Sequence, residues 1–181
     1  TLVGDEECSQ AIQFAGRACA IGADALILQD IGLAHVLRAA APTMTLHAST
    51  QMSVQTAAGL RMLRELGFSR AVLPRELSGE EIAALAVDAP LELEMFVHGA
   101  LCMSVSGQCY MSAMLGSRSG NRGLCAGPCR LPFSNAIDQT HALSLKDLSL
   151  IKQMQAPQLR GIRSFKIEGR MKRPEYVAAA V

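Results

Sequence analysis

The residues with the clearest chemical potential are cysteines. Of the six in this 181-residue chain, Cys102, Cys109, Cys125 and Cys129 fall in a single short stretch with the spacing C-x6-C-x15-C-x3-C. Gly99, Gly107, Gly116, Gly120, Gly123 and Gly127 surround them. Thiolates gathered in a glycine-rich, irregular segment are suited to a soft metal centre, either zinc or an iron-sulfur cluster. Four-cysteine zinc sites are usually built from C-x2-C pairs that bite one ion from a single turn, and no such pair occurs here. The spacing therefore favours an iron-sulfur cluster held by these four thiols, with zinc as the alternative. Cys8 and Cys19 lie in a stretch of helical periodicity and read as structural thiols.

Composition bounds what surrounds such a centre. Half of the residues are hydrophobic and 18% are charged, enough to bury one real core. A net charge of +1 gives no global basic field, so a nucleic-acid contact must rest on a local patch. Arg118, Arg122 and Arg130 flank the cysteines, and Arg163, Lys166, Arg170, Lys172 and Arg173 cluster near the C-terminus. The cysteines are too sparse for a disulfide scaffold and no signal-peptide pattern opens the sequence, so a reducing cytoplasm is the expected setting. No apolar run reaches the ~18 residues of a spanning helix, and no membrane partner is expected. The chain starts at Thr1 and ends in PEYVAAAV, a helix barely begun, and so reads as a piece of a longer protein.

The elements that must position the cysteines alternate between strand and helix. Helical spacing covers about Asp5 to Ala20, Gly32 to Ala40, Ser53 to Leu66 and Gly79 to Val87, the last opened by the capping pair Ser78 and Glu81. Short apolar runs at Ala25–Asp30, Thr45–Ser49, Arg70–Pro74 and Leu91–Val97 read as parallel strands. After Val97 regularity stops until a helix expected over Leu143 to Met154, a strand at Arg163–Ile167 and a helix opened by Pro174. Strand and helix in strict succession imply a parallel sheet with right-handed crossovers.

The strand ends carry polar or reactive residues, Gln29 and Asp30, then His47, Ser49, Thr50 and Gln51, then Arg75 and Glu76, then His98, then Glu168 and Arg170. In α/β proteins these ends share one rim, where ligands bind and chemistry is done. His47, His98 and Glu168 are the candidate proton-handling residues, and Gln51, Arg75, Lys166 and Arg170 the candidates for holding an acidic substrate.

Five motifs carry a resemblance. EMFVHGALC at Glu94–Cys102 with SGQCYMS at Ser106–Ser112, NRGLCAGPCR at Asn121–Arg130, HASTQ at His47–Gln51, SLKDL at Ser144–Leu148 and KIEGR at Lys166–Arg170 follow one another along nearly the whole chain. Together they are similar to the signature of the collagenase-like peptidase family of unknown catalytic type, most of all its ribosomal RNA cytidine hydroxylase branch, with transfer RNA uridine hydroxylases as relatives. The resemblance implies an α/β, TIM-barrel-like (β/α) domain, of which residues 1–181 form a truncated, C-terminal part. Residues 98–137 would be an irregular cysteine-rich insertion binding a [4Fe-4S] cluster. It further implies hydroxylation of a base in ribosomal or transfer RNA, with a small acidic co-substrate such as prephenate. Upstream barrel strands and a C-terminal region would lie outside this chain.

Two other functions remain open on the residues alone. A peptidase needs a nucleophile or metal-bound water with a positioned base, and neither HExxH nor GxSxG is present. Cys102 beside His98 is the one thiol–imidazole pair that the spacing suggests, and a thiol committed to a cluster cannot attack a peptide bond. The third function is a non-catalytic domain in which the metal centre is a structural staple.

Overall fold

The computed structural model describes residues 1–134, 139–170 and 172–181. Chain order is helix α1 (Asp5–Ala20), strand β1 (Ala25–Leu28), α2 (Ile31–Ala40), β2 (Thr45–Ala48), α3 (Ala57–Glu65), β3 (Arg70–Val72), α4 (Gly79–Ala86) and β4 (Glu92–Gly99). There follow α5 (Met111–Gly116), an antiparallel pair β5 (Phe133–Ser134) and β6 (Gln139–Thr140), then β7 (Leu148–Ser149), β8 (Ile162–Glu168) and α6 (Pro174–Ala180).

The helices begin where the sequence supplies an acceptor for their free N–H groups. Asp30 Oδ1 accepts from Leu33 N at 2.8 Å, Thr56 Oγ1 from Gly59 N at 3.1 Å, and Ser78 with Glu81 forms the expected capping box. Thr56 also explains why α3 starts later than expected: residues Thr50–Met52 form a separate 3-10 turn, capped by Ser49.

β1, β2, β3, β4 and β8 pair in parallel as successive neighbours, giving an α/β fold on a parallel sheet. β4 is the hub. β8 follows one edge of it from Leu93 to Gly99, and β3 takes the lower part of the other. Above β3, the short β7 runs antiparallel against His98 and Gly99.

That pairing overturns the helix expected over Leu143–Met154. Its apolar residues have helical spacing, but the Leu150 N–H donates to the Val97 carbonyl at 2.9 Å, and only a single 3-10 turn, Ile151–Gln153, follows. A free strand edge satisfies these backbone groups better than a lone helix, whose nucleation is unfavourable.

Side-chain alternation divides the sheet into two faces. Leu28, Leu46, Ala48, Ala71, Leu73, Leu93, Met95 and Val97 pack with Leu33, Leu37, Leu60, Leu63, Phe68 and Ile82 in one apolar core. His47, Arg70, Glu92, Glu94 and Phe96 belong to the opposite face. Among the described residues no helix is long and apolar enough to cross a membrane.

Candidate functional site

The cysteine segment is ordered by local hydrogen bonds that its own spacing makes possible. Met111 N lies 3.4 Å from Cys109 Sγ and Gly127 N 3.3 Å from Cys125 Sγ. Two of the four thiols thus face the N–H two residues ahead, the kind of peptide N–H contact that a cluster-ligating sulfur accepts. Ser112, buried in α5, accepts from Ala126 N at 2.9 Å and ties the helix to the turn between Cys125 and Cys129.

All six cysteines are free, Cys102 and Cys125 being exposed and the others half-buried. Burial pushes the Cys102 thiol above its ordinary value, the Ser104 N–H opposes this, and the charges of Cys109, Cys129 and Cys125 add to the rise. Among the described residues no three of His, Cys, Asp and Glu stand in the arrangement of a single-ion site. Residues 135–137, the end of the expected cysteine-rich segment, lie outside the described residues.

The segment is bolted to the strand ends. Gln51, after β2, donates from Nε2 to the Gly120 carbonyl at 3.3 Å and fills the space beside Gly107, where an added Cβ would come within 2.6 Å of it. Glu76, after β3, accepts from Ser106 N at 3.3 Å. Arg130 donates to the Leu101 carbonyl at 2.6 Å, to Ser144 Oγ at 3.1 Å and to the Leu145 carbonyl. Arg122 pairs with Glu7 of α1.

At the rim, Arg75 is the central charge. Its Nη2 stands 2.9 Å from Glu168 Oε2, its Nη1 3.2 Å from Ser106 Oγ, and its guanidinium carbon 3.5 Å above the centre of the Phe96 ring. Burial draws Arg75 below its usual value, while the charges of Glu168 and Cys102 push the other way. One guanidinium therefore ties the end of β8 to Ser106 of the cysteine segment. A cavity of about 710 Å³, the size of small-molecule sites, is lined by Arg75, Met95, Phe96, Leu148, Leu150 and Leu159 among others.

His98, at the end of β4, packs its ring on Tyr176 of α6 with centroids 5.2 Å apart. Its Nδ1 is buried without a hydrogen-bond partner among the described residues. Tyr176 reaches Asp147 Oδ2 at 3.4 Å, and Lys172 stands 3.7 Å from the same oxygen.

The remaining candidates lie lower, on the polar face. Glu94, 7% exposed, is held by Arg70 Nη1 at 3.2 Å, Lys166 Nζ at 3.1 Å and Ser164 Oγ at 2.9 Å. Arg70 also pairs with Glu92 at 2.7 Å. His47 looks onto this network. Burial lowers it from the ordinary histidine value, and Arg70 pulls the same way, so it is neutral near pH 7.

The structure thus brings Cys102, Arg75, Glu168 and Gln51 into one region and places His98 beside it with Tyr176. His47, one residue before the end of β2, stands opposite Arg70, the first residue of β3, and so faces the Arg70–Glu94 network and not Arg75. Lys166 serves Glu94, and Arg170 is exposed in the turn after β8. Sequence reasoning missed Glu94, Arg70, Ser106 and Tyr176. Glu94 had a signal: a carboxylate inside an otherwise apolar strand needs partners.

With this geometry in view, comparison with known proteins decides the family. The model of peptidase family U32 matches residues 1–181. The chain belongs to peptidase family U32. Within the family, it is 40% identical over 184 residues to the 23S rRNA 5-hydroxycytidine C2501 synthase of Escherichia coli K12, covering 98% of this chain and 28% of that protein. It is 37% identical over 191 residues to tRNA hydroxylation protein P1 of Bacillus subtilis 168, covering 98% and 44%. A further U32 relative is the collagenase of Porphyromonas gingivalis W83, 32% identical over 197 residues and covering 98% and 47%. The chain spans between a quarter and a half of the length of these relatives.

Proposed function

We propose that this chain is the metal-binding part of a U32 enzyme that hydroxylates a base of ribosomal or transfer RNA in the cytoplasm. The observation that carries the reading is that Arg75, paired with Glu168, also donates to Ser106 while Gln51 donates to the Gly120 carbonyl, which sets the four-cysteine segment against the strand-end rim. A metal held only as a staple has no need of that position. Names of relatives that act on rRNA and tRNA support the substrate class. The parallel sheet, in this reading, is part of a TIM-like barrel whose remaining strands belong to the longer protein, and the polar face around Glu94 is its interior.

Cys102, Cys109, Cys125 and Cys129 would hold a [4Fe-4S] cluster, and the donor set fits it: four free thiols, two of them facing an N–H two residues on. When bound, the cluster supplies one-electron redox chemistry at the rim. The chain's own groups do the rest. Arg75 holds the carboxylate of a small acidic co-substrate, such as prephenate, in the cavity that it lines. Glu168 keeps Arg75 oriented. His98 holds or passes a proton at Nδ1, the atom left without a partner. Arg170 meets RNA phosphate. Gln51 sets the cysteine segment on the rim, and His47 and Lys166 support Arg75's strand from below through Arg70 and Glu94.

The peptidase reading needs a thiol and an imidazole in contact. His98 is instead packed on Tyr176, and its Nδ1 has no hydrogen-bond partner, thiol or other, among the described residues.

The test is genetic and chemical together. Host cells lacking their own copy of the gene, supplied with the full-length protein, should regain one oxygen atom at a specific pyrimidine, read by nucleoside mass spectrometry. Loss of that signal in Arg75→Ala and Cys102→Ala, with protein levels maintained, is the expected result. Full hydroxylation by Cys102→Ala would overturn the reading.

A further inference from the structure

The cysteine segment also presents an outward face that the metal centre does not use. Tyr110 is 64% exposed, Met114 84% and Leu115 70%. Met114 N donates to the Tyr110 carbonyl at 2.9 Å, one helical turn away, so the two side chains lie on the same side of α5. The other side of the helix is anchored through buried Ser112. Arg118, exposed just past the helix, donates from Nε to the Leu124 carbonyl at 3.0 Å and so stands beside another exposed apolar residue. Tyr110 directly follows Cys109 in the chain, and Leu124 directly precedes Cys125.

Charge indicates what covers it. From Gly99 to Ser134 the chain has three arginines and no Asp or Glu, whereas acids outnumber lysines and arginines in the rest of it. Arg122 is occupied by Glu7 and both Nη atoms of Arg130 by Ser144 and backbone carbonyls, whereas Arg118 spends only its Nε on a carbonyl and is, among the described residues, the exposed arginine of this segment with neither Nη engaged. An aromatic ring, flanking thioether and aliphatic surface, one guanidinium and no acid match an unpaired nucleotide, which offers a base to stack and a phosphate to hold.

We propose that the Tyr110, Met114 and Arg118 face seats an unpaired nucleotide of the substrate RNA, with its base on Tyr110 and its phosphate on Arg118. The inference rests on the RNA-hydroxylase reading and adds to it the place where the RNA meets the metal-binding segment. Stacking tolerates any base, so this face supplies grip and position near the centre and leaves the choice of base to other contacts.

The experiment uses the full-length protein with its metal centre loaded and a fluorescently labelled RNA hairpin whose loop contains unpaired cytidine and uridine. Tyr110→Ala should weaken binding by about tenfold, the loss of one stacked base, while Tyr110→Trp retains it. Arg118→Ala should weaken binding less and reduce the slope of log affinity against log salt by about 0.7, one single-strand phosphate contact. Iron content should be unchanged in all three. If Tyr110→Ala binds the hairpin like the wild type, the proposal is overturned, and retained hydroxylation by that variant would leave the hydroxylase reading standing. A fall in Tm with unchanged affinity would show that another segment of the longer chain covers the face, and overturns it too. So does a changed sedimentation coefficient in Met114→Ala with unchanged affinity, the mark of a second copy seated there. A wild-type protein that neither binds nor hydroxylates RNA overturns both readings together.

Discussion

Arg75 and Glu168 meet at 2.9 Å, joining the end of β3 to the end of β8 across the top of β4. The pair spans two strand ends separated by ninety-three residues, and the Phe96 ring lies beneath its guanidinium.

Truncating either partner should therefore act unequally. Arg75→Ala removes the pair, the Ser106 contact and the ring contact, and should cost about 2–3 kcal/mol in urea denaturation. Glu168 is partly exposed, so Glu168→Ala should cost only about 1 kcal/mol. Arg75→Lys should not restore stability, because an ammonium neither stacks on Phe96 nor forks between Glu168 and Ser106.

Glu94 makes the fold sensitive to acid. Burial alone would raise its carboxyl, but the Ser164 hydroxyl, Lys166 and Arg70 outweigh burial and hold it below the ordinary value. A carboxylate depressed in the folded state stabilises fully above its unfolded pKa, and that contribution is lost as pH falls through the folded value. Glu94→Gln should cost about 2–4 kcal/mol near neutrality, and the gap to wild type should close below about pH 4. Chemical denaturation at a series of pH values reads both.

Backbone closeness at the rim gives a third test. Gly99 has φ +117°, and an added Cβ would lie 2.7 Å from the Glu168 carbonyl oxygen, so relief requires β4 and β8 to separate. Gly99→Ala should cost more than about 2 kcal/mol. Gly16, exposed inside α1 with open space around it, is the control: Gly16→Ala should stabilise by about 0.5–1 kcal/mol.

Ser112 should govern how firmly the metal is held. Ser112→Ala frees the Ala126 N–H and loosens α5 from the turn between Cys125 and Cys129. The variant should fold with an unchanged far-ultraviolet circular dichroism spectrum and lose iron to a chelator several-fold faster than wild type. An unchanged rate of loss would show that the latch has no bearing on the centre.

Much of the framework was legible because parallel strands buried by helices are written as short apolar runs, and the Ser78–Glu81 cap announced α4. What failed did so where tertiary pairing competes with local pattern. Leu150 gives its N–H to Val97, and no periodicity in residues 143–154 reveals that β4 has a free edge there. The partners of His47 were not legible either, since its position opposite Arg70 depends on register, which is set by the neighbouring strand. The candidate thiols were legible from spacing alone. Their docking was not, since it depends on Gln51, Glu76 and Arg130, whose partners are backbone groups far away in sequence.

The most direct measurement is the metal content of the full-length protein purified without oxygen. Iron and acid-labile sulfide at about four each per chain, with a brown absorbance that disappears in Cys102→Ala, Cys109→Ala, Cys125→Ala and Cys129→Ala and persists in Cys8→Ala and Cys19→Ala, is the predicted result. A colourless protein containing one zinc, or a brown one whose iron survives all four substitutions, would contradict it.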